Sequence, residues 1–454
     1  MDDVTPHDKR AKLLIIGAGP VGLAMANALR QHSIFYEQVD AKDGLGGNWH
    51  SGLYQGVHLN SSKRSTAFAG YPMPDDYPLF PSAQQTKVYL EDYAAAHGIA
   101  SNIRFSTRVT QAIPLEDDNW QVQFSDGTQA IYKGLVICNG HHWHPHMPEL
   151  PSSFAGQLFH SKDYVELKQL AGKRVLVIGA GNSACDIVCD AARVGKTADI
   201  CMRRGYWFMP RLAFGRPLHD LPIWHLPVTL QRLILRTIIW VTIGDYRKYG
   251  LEKPDHRLFD RHTMFGAEMI DLISKGRINP RRSILNVSGH TITFSDGAKA
   301  DYDVIVAATG FKISFPFLPE GIVPVKNNAL QVYGHAFPVG IKNLYLVGGN
   351  QPRAGFGYLL TPLADLYARV IKLQDELEHP MGSVLEFMGE KIPKTHLVDP
   401  GGASREILLS RLLLPYARWQ GRRLAKRRPH VPSPFAIPAP LNTKPKLPLP
   451  VAAE

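Results

Sequence analysis

Apolar residues recur along this chain in short blocks that alternate with stretches of helical periodicity, and the blocks fall into two similar series. Residues 12–16 form an apolar run, a glycine turn follows, and in residues 23–29 apolar positions return at helical spacing, so the segment reads strand, tight turn, helix. Residues 174–178, a second glycine turn and residues 185–192 repeat the pattern. Each series closes on an apolar strand and a glycine: 134–138 before Asn139-Gly140, and 303–308 before Thr309-Gly310. From turn to closing glycine is roughly 120 residues in the first series and roughly 130 in the second, near the size of one domain. Between them, residues 105–109, 120–124 and 130–132 alternate apolar and polar positions around the turn Ser125-Asp126-Gly127, which predicts a small antiparallel meander. Residues 291–294 and 299–302, around Ser295-Asp296-Gly297, repeat the device. After Gly310 the chain still holds a strand at 343–347 and a helix at 360–373, which would return it to the first unit.

The two turns are Gly17-Ala18-Gly19-Pro20-Val21-Gly22 and Gly179-Ala180-Gly181-Asn182-Ser183-Ala184. At a strand-to-helix junction such a turn bares backbone N–H groups at a helix N-terminus, where the helix dipole favours a pyrophosphate. The fold class expected is α/β, with two dinucleotide-binding, Rossmann-like, doubly wound domains, the first discontinuous and the second inserted into it. The boundaries read 1–165 for the first part, 166–302 for the inserted domain with a helical insertion about 216–260, and 303–400 for the return. Residues 401–454 read as a basic, proline-rich tail.

The strand after the first turn, 33–37, ends in Glu37, about twenty residues beyond Gly17, where a carboxylate takes a ribose hydroxyl and repels a 2′-phosphate. That suits FAD or NAD. The matching strand of the second unit, 198–202, ends in Arg203-Arg204, whose guanidinium groups suit the 2′-phosphate of NADPH. FAD in the first site and NADPH in the second make a relay that passes hydride from nicotinamide to flavin and electrons from flavin to an acceptor.

Composition changes this picture little. The 454 residues are 44% apolar and 20% charged, ordinary for a globular protein. The first eight residues carry acids and no apolar core, so no secretory signal is expected. Four cysteines without CxxC spacing argue against a disulfide framework and a dithiol centre, and imply a reducing, cytoplasmic setting. The net charge of +11 suits polyanions, yet no nucleic-acid motif accompanies it, and nucleic acid is not an expected partner. Arg418, Arg422, Arg423, Lys426, Arg427 and Arg428 crowd one segment, which reads as a solvated face or as a contact with an anionic membrane surface. Residues 226–244 are apolar except for Gln231, Arg232 and Arg236, short of a bilayer span; they read as an amphipathic or buried helix, or as a membrane-surface or substrate-channel helix, and are the expected wall of the substrate pocket. Residues 429–454 are studded with proline and read as an extended, largely unfolded tail. His141, His142, His144 and His146 lie close together without a fitting cysteine or carboxylate set, so no metal is expected. Cys185 and Cys189, four apart on the second helix, read as packing residues.

The segment 154–164, FAGQLFHSKDY, resembles the signature FxGxxxHxxx plus an aromatic of the flavin-containing monooxygenases. Gly46-Gly47-Asn48-Trp49, Leu59-Asn60-Ser61-Ser62-Lys63, residues 71–78, Gly140-His141-His142 and Ala308-Thr309-Gly310-Phe311 match the same family in family order. Residues 221–279, including 244–251, look like the plant auxin-forming branch and its bacterial relatives. The resemblance implies a single-component oxygenase that uses FAD, NADPH and molecular oxygen, forms a C4a-(hydro)peroxyflavin, and oxygenates a small lipophilic substrate. Nitrogen or sulfur oxygenation and oxidative decarboxylation of a 2-oxo acid both fall within that chemistry. It implies cofactor contacts at Gly46, Gly47, Asn48, Trp49, Leu59, Asn60, Val109, Gly140, Gly310 and Gln351, besides the two turns. Asn60 is the expected catalytic side chain, because a neutral amide donates and accepts hydrogen bonds without offering an acid. His160 and Tyr164 are expected to govern domain arrangement; Tyr164 stands where Baeyer–Villiger enzymes carry tryptophan, which disfavours ketone insertion. The rivals are an NADPH-dependent flavin reductase acting on a quinone or protein acceptor, and a non-catalytic NADPH sensor. The oligomeric state stays open.

Overall fold

The computed structural model describes residues 7–353 and 355–440. The first sheet is built on β1 (His7–Ile16), whose Leu13–Ile16 half is buried and must be paired on both edges. It lies parallel to β2 (Tyr36–Val39) on one side and to a long strand, Gln129–Ile137, on the other. Helix α1 (Pro20–Gln31) connects β1 to β2 and buries every residue from Gly22 to Leu29. Antiparallel β3 (Val109–Pro114) and β4 (Trp120–Phe124) lead into the long strand, β5 (Gln129–Ile137). A meander is present, but its first strand is Val109–Pro114 rather than 105–109, and 130–132 and 134–138 are one strand rather than two. The first half of β5 pairs with β4 and the second half carries the parallel sheet onward.

The second sheet is wholly parallel. Its strands are β6 (Gln157–His160), β7 (Arg174–Ile178), β8 (Thr197–Cys201), β9 (Asn279–Arg281) and β10 (Val304–Ala307), in the order β9-β8-β7-β10-β6. Helix α2 (Asn182–Val194) joins β7 to β8, and α3 (Val228–Thr242) lies in the long excursion between β8 and β9. A separate three-stranded meander, whose second and third strands are the expected pair at 291–294 and 299–301, buries Val287, Ile292, Phe294 and Tyr302 against the sheet face opposite the helices. The chain then returns through β11 (Leu344–Leu346), which pairs with β5 at Leu344↔Leu135, and α4 (Gly357–Gln374), which packs on α1. Helices α5 (Met381–Phe387) and α6 (Pro400–Arg427) complete the first domain.

Four readings of the sequence are corrected here. The domain boundaries move from 165/166 and 302/303 to the crossing where His144–Pro145 pairs antiparallel with Phe311–Lys312. The reason is burial: all four residues of β10 are buried, which requires a neighbour on each edge, and β6 and β7 supply them. Residues 400–427 are a helix, not a tail; Asp399 caps it by accepting from the Gly402 N–H at 2.8 Å, and Pro400 occupies its first turn. Residues 429–440 lack helix but are docked on the first domain, where the Ile437 N–H donates to Pro114 O at 3.0 Å and Glu116 N–H to Ile437 O at 3.0 Å; residues 441–454 lie outside the described residues. Helix α3 buries Gln231, Leu235, Ile238 and Ile239 in the second domain's core, and no residue of 226–244 lines the cavity described below. No helix among the described residues is long and apolar enough to cross a membrane.

Candidate functional site

A cavity of about 1550 Å³ lies where both glycine turns open, at the carboxyl edges of β1 and β7. Gly17 (φ +112°) and Gly179 (φ +134°) hold equivalent places in the two units. A Cβ on Gly17 would lie 2.4 Å from the Cys138 carbonyl oxygen, and one on Gly179 would lie 2.2 Å from that of Ala308. Each first glycine thus lets its turn pass under the end of the closing strand. A Cβ on Gly22 would meet Gly17 O at 2.0 Å, whereas the second unit places buried Ala184 at the corresponding position. Gly22, Gly179 and Ala184 shape the turns from behind the cavity wall; Gly17, Gly19, Pro20, Gly181, Asn182 and Ser183 line it.

Gly19 and Gly181 are the N-caps of α1 and α2, and neither helix start has a side-chain cap, so their first N–H groups are available to a pyrophosphate. Gly46 (φ +111°) and Gly47 (φ +62°) bring a second loop against the first turn, with the Gly46 N–H donating to Ala18 O at 2.8 Å. Gly46 stays behind the wall, while Gly47, Asn48 and Trp49 face the cavity. Leu59, Asn60, Val109, Gly140, Gly310 and Gln351 also line it. Two uncapped helix starts over turns whose first glycines, Gly17 and Gly179, admit no Cβ fit two dinucleotides.

Glu37 is not where a ribose would be. Strand β2 runs on to Val39, so Glu37 sits mid-strand opposite Leu14, and its carboxylate accepts from Lys9 at 2.6 Å, Lys12 at 3.0 Å and the Tyr132 hydroxyl at 2.8 Å. The acid at the strand end is Asp40, which lines the cavity and accepts from the Ala18 N–H at 2.6 Å and the Lys42 N–H at 2.8 Å. Apolar Val39, continuing the strand past Glu37, was the available sequence signal. Burial opposes ionisation of Glu37, but the bonds from Lys9, Lys12 and Tyr132 outweigh it and hold the group at about 2. A depressed carboxylate stabilises the fold above its unfolded value, near 4.3, and that contribution is lost as pH falls toward the folded value. Glu37→Gln is therefore expected to flatten the acid limb of the Tm–pH profile between about pH 4.5 and about 2, with flavin content unchanged. Asp40→Ala is expected to lower flavin content; the opposite pattern would return the ribose to Glu37.

Arg203 is exposed and Arg204 half-buried just past β8, outside the main cavity. Arg204 shares a niche with Arg281, the last residue of the neighbouring strand β9, and Arg282 after it, which donate to Asp199 and Glu252 at 2.6 Å each; the Arg204 Nε is buried without a hydrogen-bond partner. Sequence reading missed the second arginine pair because the adjacency of β8 and β9 is a property of the sheet. Charge-assisted bonds contribute about 1.5–3 kcal/mol each, so replacing Arg203 and Arg204 with alanine is expected to cut the kcat/KM preference for NADPH over NADH by about 100-fold. An unchanged ratio would refute the assignment.

Across the cavity the two domains meet in a polar chain. Arg211 donates to Asn60 Oδ1 at 3.2 Å and lies 3.8 Å from Asp186 Oδ1, while the Tyr54 hydroxyl donates to Asp186 Oδ2 at 2.9 Å. One helical turn away, the Tyr164 hydroxyl donates to Asp190 Oδ2 at 2.9 Å, and the Tyr54 and Tyr164 rings are 5.5 Å apart. Burial pushes the Asp186 and Asp190 carboxyls up. Because Arg211 occupies the Asn60 carbonyl, the amide N–H groups are what Asn60 offers to the cavity. Buried His160 accepts from the Lys162 N–H at 3.1 Å and donates from Nε2 to Gly310 O at 3.0 Å, so it ties the end of β6 to the return crossing as a neutral ring outside the cavity. His141, His142 and His262 line the cavity, and burial lowers all three, His142 to about 3 and His262 to about 4, so they are neutral at pH 7. Among the described residues no group of three or more His, Cys, Asp or Glu is placed to hold a metal ion.

Beyond the two turns the cavity extends as an apolar arm along α4. From Phe356 to Val370 is fourteen residues, or about 21 Å of helix, and Leu363, Leu366 and Val370 face Met381 and Leu385 of α5 and Leu414 of α6.

The family described as FMO-like, flavin-binding monooxygenase-like, matches residues 10–370. The chain belongs to this family. Flavin-containing monooxygenase 5 of Oryctolagus cuniculus is 29% identical over 389 residues, 79% of this chain and 72% of that protein. Indole-3-pyruvate monooxygenase YUCCA1 of Oryza sativa subsp. japonica is 30% identical over 339 residues, 69% of this chain and 83% of that protein. Among solved structures, S-allyl-L-cysteine S-oxygenase from Allium sativum aligns over 92% of this chain and 93% of its own with a TM-score of 0.63 at 21% identity. The OTEMO complex with FAD and NADP aligns over 80% of this chain and 86% of its own, with a TM-score of 0.64 at 19% identity. This flavin-binding monooxygenase is an NADPH-dependent flavoprotein, and FAD and NADPH are its cofactors.

Proposed function

We propose that this monooxygenase delivers one atom of molecular oxygen to a soft nitrogen or sulfur of a small lipophilic substrate held in the apolar arm. The observation that carries this reading is the lining of the arm: leucine, valine, methionine and phenylalanine side chains, with Glu390, Glu406 and His335 as ionisable groups, while the lysines and arginine of the described cavity lining, Lys42, Arg108 and Lys162, stand on none of α4, α5 or α6. Burial raises Glu390, whose Oε1 accepts from the Gly334 N–H at 2.8 Å. Helices that bring carboxyls and no lysine or arginine to the arm disfavour a 2-oxo acid substrate, the class named for the rice relative, and suit a neutral thioether or an amine.

Bound FAD would take hydride from NADPH and activate oxygen; Gly17, Gly19, Gly47 and Asp40 would hold it, and Gly181, Asn182, Arg203 and Arg204 would hold NADPH. The Asn60 amide, fixed by Arg211, would donate at the reacting centre while supplying no acidic proton that speeds loss of hydrogen peroxide. His141, His142 and His262, held neutral by burial, offer no imidazolium proton at pH 7. His160, tying Gly310 to Lys162, would set the angle between the domains.

The test supplies an alkyl thioether, an alkyl tertiary amine, a 2-oxo acid and a quinone in separate assays and follows NADPH, oxygen and products. Sulfoxide or N-oxide formed one per NADPH, with no carbon dioxide from the oxo acid, is the expected result. Quinone reduction without oxygen uptake would establish the reductase instead.

A further inference from the structure

Helix α6 buries Ile407, Ala417, Gln420, Gly421 and Leu424 against the body of the protein. Its other side exposes Leu408, Leu409, Leu412, Leu413, Tyr416 and Trp419, each between 46% and 69% accessible. At spacings of one, three and four residues these six form one continuous stripe along the helix. Scattered exposed leucines need no explanation, but a contiguous apolar stripe on a soluble domain marks an interaction surface.

Cations frame the stripe. Arg411, Arg418 and Arg422 follow one another at seven- and four-residue spacing along one flank; Arg411 and Arg418 are tied to Asp365 at 3.0 Å and Glu376 at 2.8 Å, while exposed Arg422, Lys426, Arg427 and Arg428 crowd the end of the helix. Residues 405–428 hold eight arginines and lysines against one acid, Glu406. The Arg423 guanidinium lies 4.6 Å from the Trp419 ring centroid, so the aromatic end of the stripe is itself capped by charge. Two copies of this helix face to face would set like charges together, whereas an anionic surface matches them.

We propose that α6 is an interfacial helix that lies on an anionic lipid bilayer, with its leucine stripe at the acyl boundary and Arg422, Arg423, Lys426, Arg427 and Arg428 at the headgroup phosphates. Leu413 belongs both to the stripe and to the cavity wall, so docking sets the apolar arm against the hydrocarbon from which a lipophilic substrate partitions. Vesicle binding is read without turnover, so its failure would leave the oxygenase reading standing.

The experiment uses the FAD-loaded full chain with phosphatidylcholine vesicles containing about 30% phosphatidylserine. Sedimentation with these vesicles is expected, falling at least about tenfold with phosphatidylcholine alone or near 0.5 M salt. Leu409→Glu with Leu412→Glu, both at exposed positions, should weaken binding at least about tenfold while flavin content and NADPH oxidation hold. Brominated acyl chains should quench fluorescence in the parent protein and not in Trp419→Phe. No sedimentation, or sedimentation untouched by the leucine pair, would overturn the proposal. A dimer that the same pair dissolves, without vesicle binding, would assign the stripe to a second copy and overturn it equally.

Discussion

Gly17→Ala is expected to give protein that carries no bound flavin and melts at least about 5 °C lower. Two independent costs meet at this position. The backbone stands at φ +112°, where an L side chain costs about 1–2 kcal/mol. The new methyl would also stand 2.4 Å from the carbonyl oxygen of Cys138, the residue just past β5, whose own N–H is bonded to Ile16 O at 2.8 Å and which cannot swing aside. Overpacking of that kind costs about 1–3 kcal/mol, a large part of a typical stability of about 5–15 kcal/mol. The turn must move, and with it the N–H groups that face the pyrophosphate. Gly181→Ala is the contrast: its φ is −66° and a Cβ there meets nothing within 4 Å, so flavin content and Tm should hold while KM for NADPH rises. Absorbance of bound flavin per protein and a thermal melt read both variants. A flavin-loaded Gly17→Ala protein would remove the first turn from the flavin site.

Asn60→Leu is expected to keep NADPH oxidation while the product formed per NADPH falls at least about tenfold, with hydrogen peroxide making up the difference. Leucine matches the volume but removes the N–H donors that the Arg211 bond leaves to the cavity. Loss of one preorganised donor of this type costs about 100-fold or more in related chemistry. Arg211 would also lose its acceptor, and with Asp186 beside it at 3.8 Å the guanidinium keeps a charge partner, so the fold should hold. Oxygen uptake, peroxide and product measured together decide the outcome. Coupling equal to that of the parent would sink the role given to Asn60.

The parts legible in the sequence are those that local chemistry dictates. Gly17 and Gly179 announce strand–turn–helix units because only glycine tolerates their backbone, and the structure sets both under a closing strand in the same way. The return strand at 343–347 was legible as an apolar run with no partner nearby, and it pairs with β5. What failed required knowledge of neighbours. Glu37 looked like a strand end until Val39 extended β2, and Lys9, Lys12 and Tyr132 closed round it from β1 and β5. Residues 226–244 looked like a pocket wall because they are apolar, yet α3 spends that surface on its own domain's core and on solvent. The arm's actual wall, from α4, α5 and α6, was hidden because α6 reads as a basic tail when its contacts with α4 and α5 are unknown. The Asn60–Arg211–Asp186–Tyr54 chain joins residues of two domains, so no local pattern could reveal it.

The central claim is that NADPH-reduced flavin in this cavity reacts productively with oxygen rather than serving as a simple electron donor. Rapid mixing of the NADPH-reduced holoprotein with oxygenated buffer, followed by absorbance from the ultraviolet to the visible, tests it directly. The account predicts a transient spectrum distinct from both reduced and oxidised flavin, long-lived in the parent protein and shortened in Asn60→Leu. A single-step return to the oxidised spectrum, equally fast in both, would contradict it.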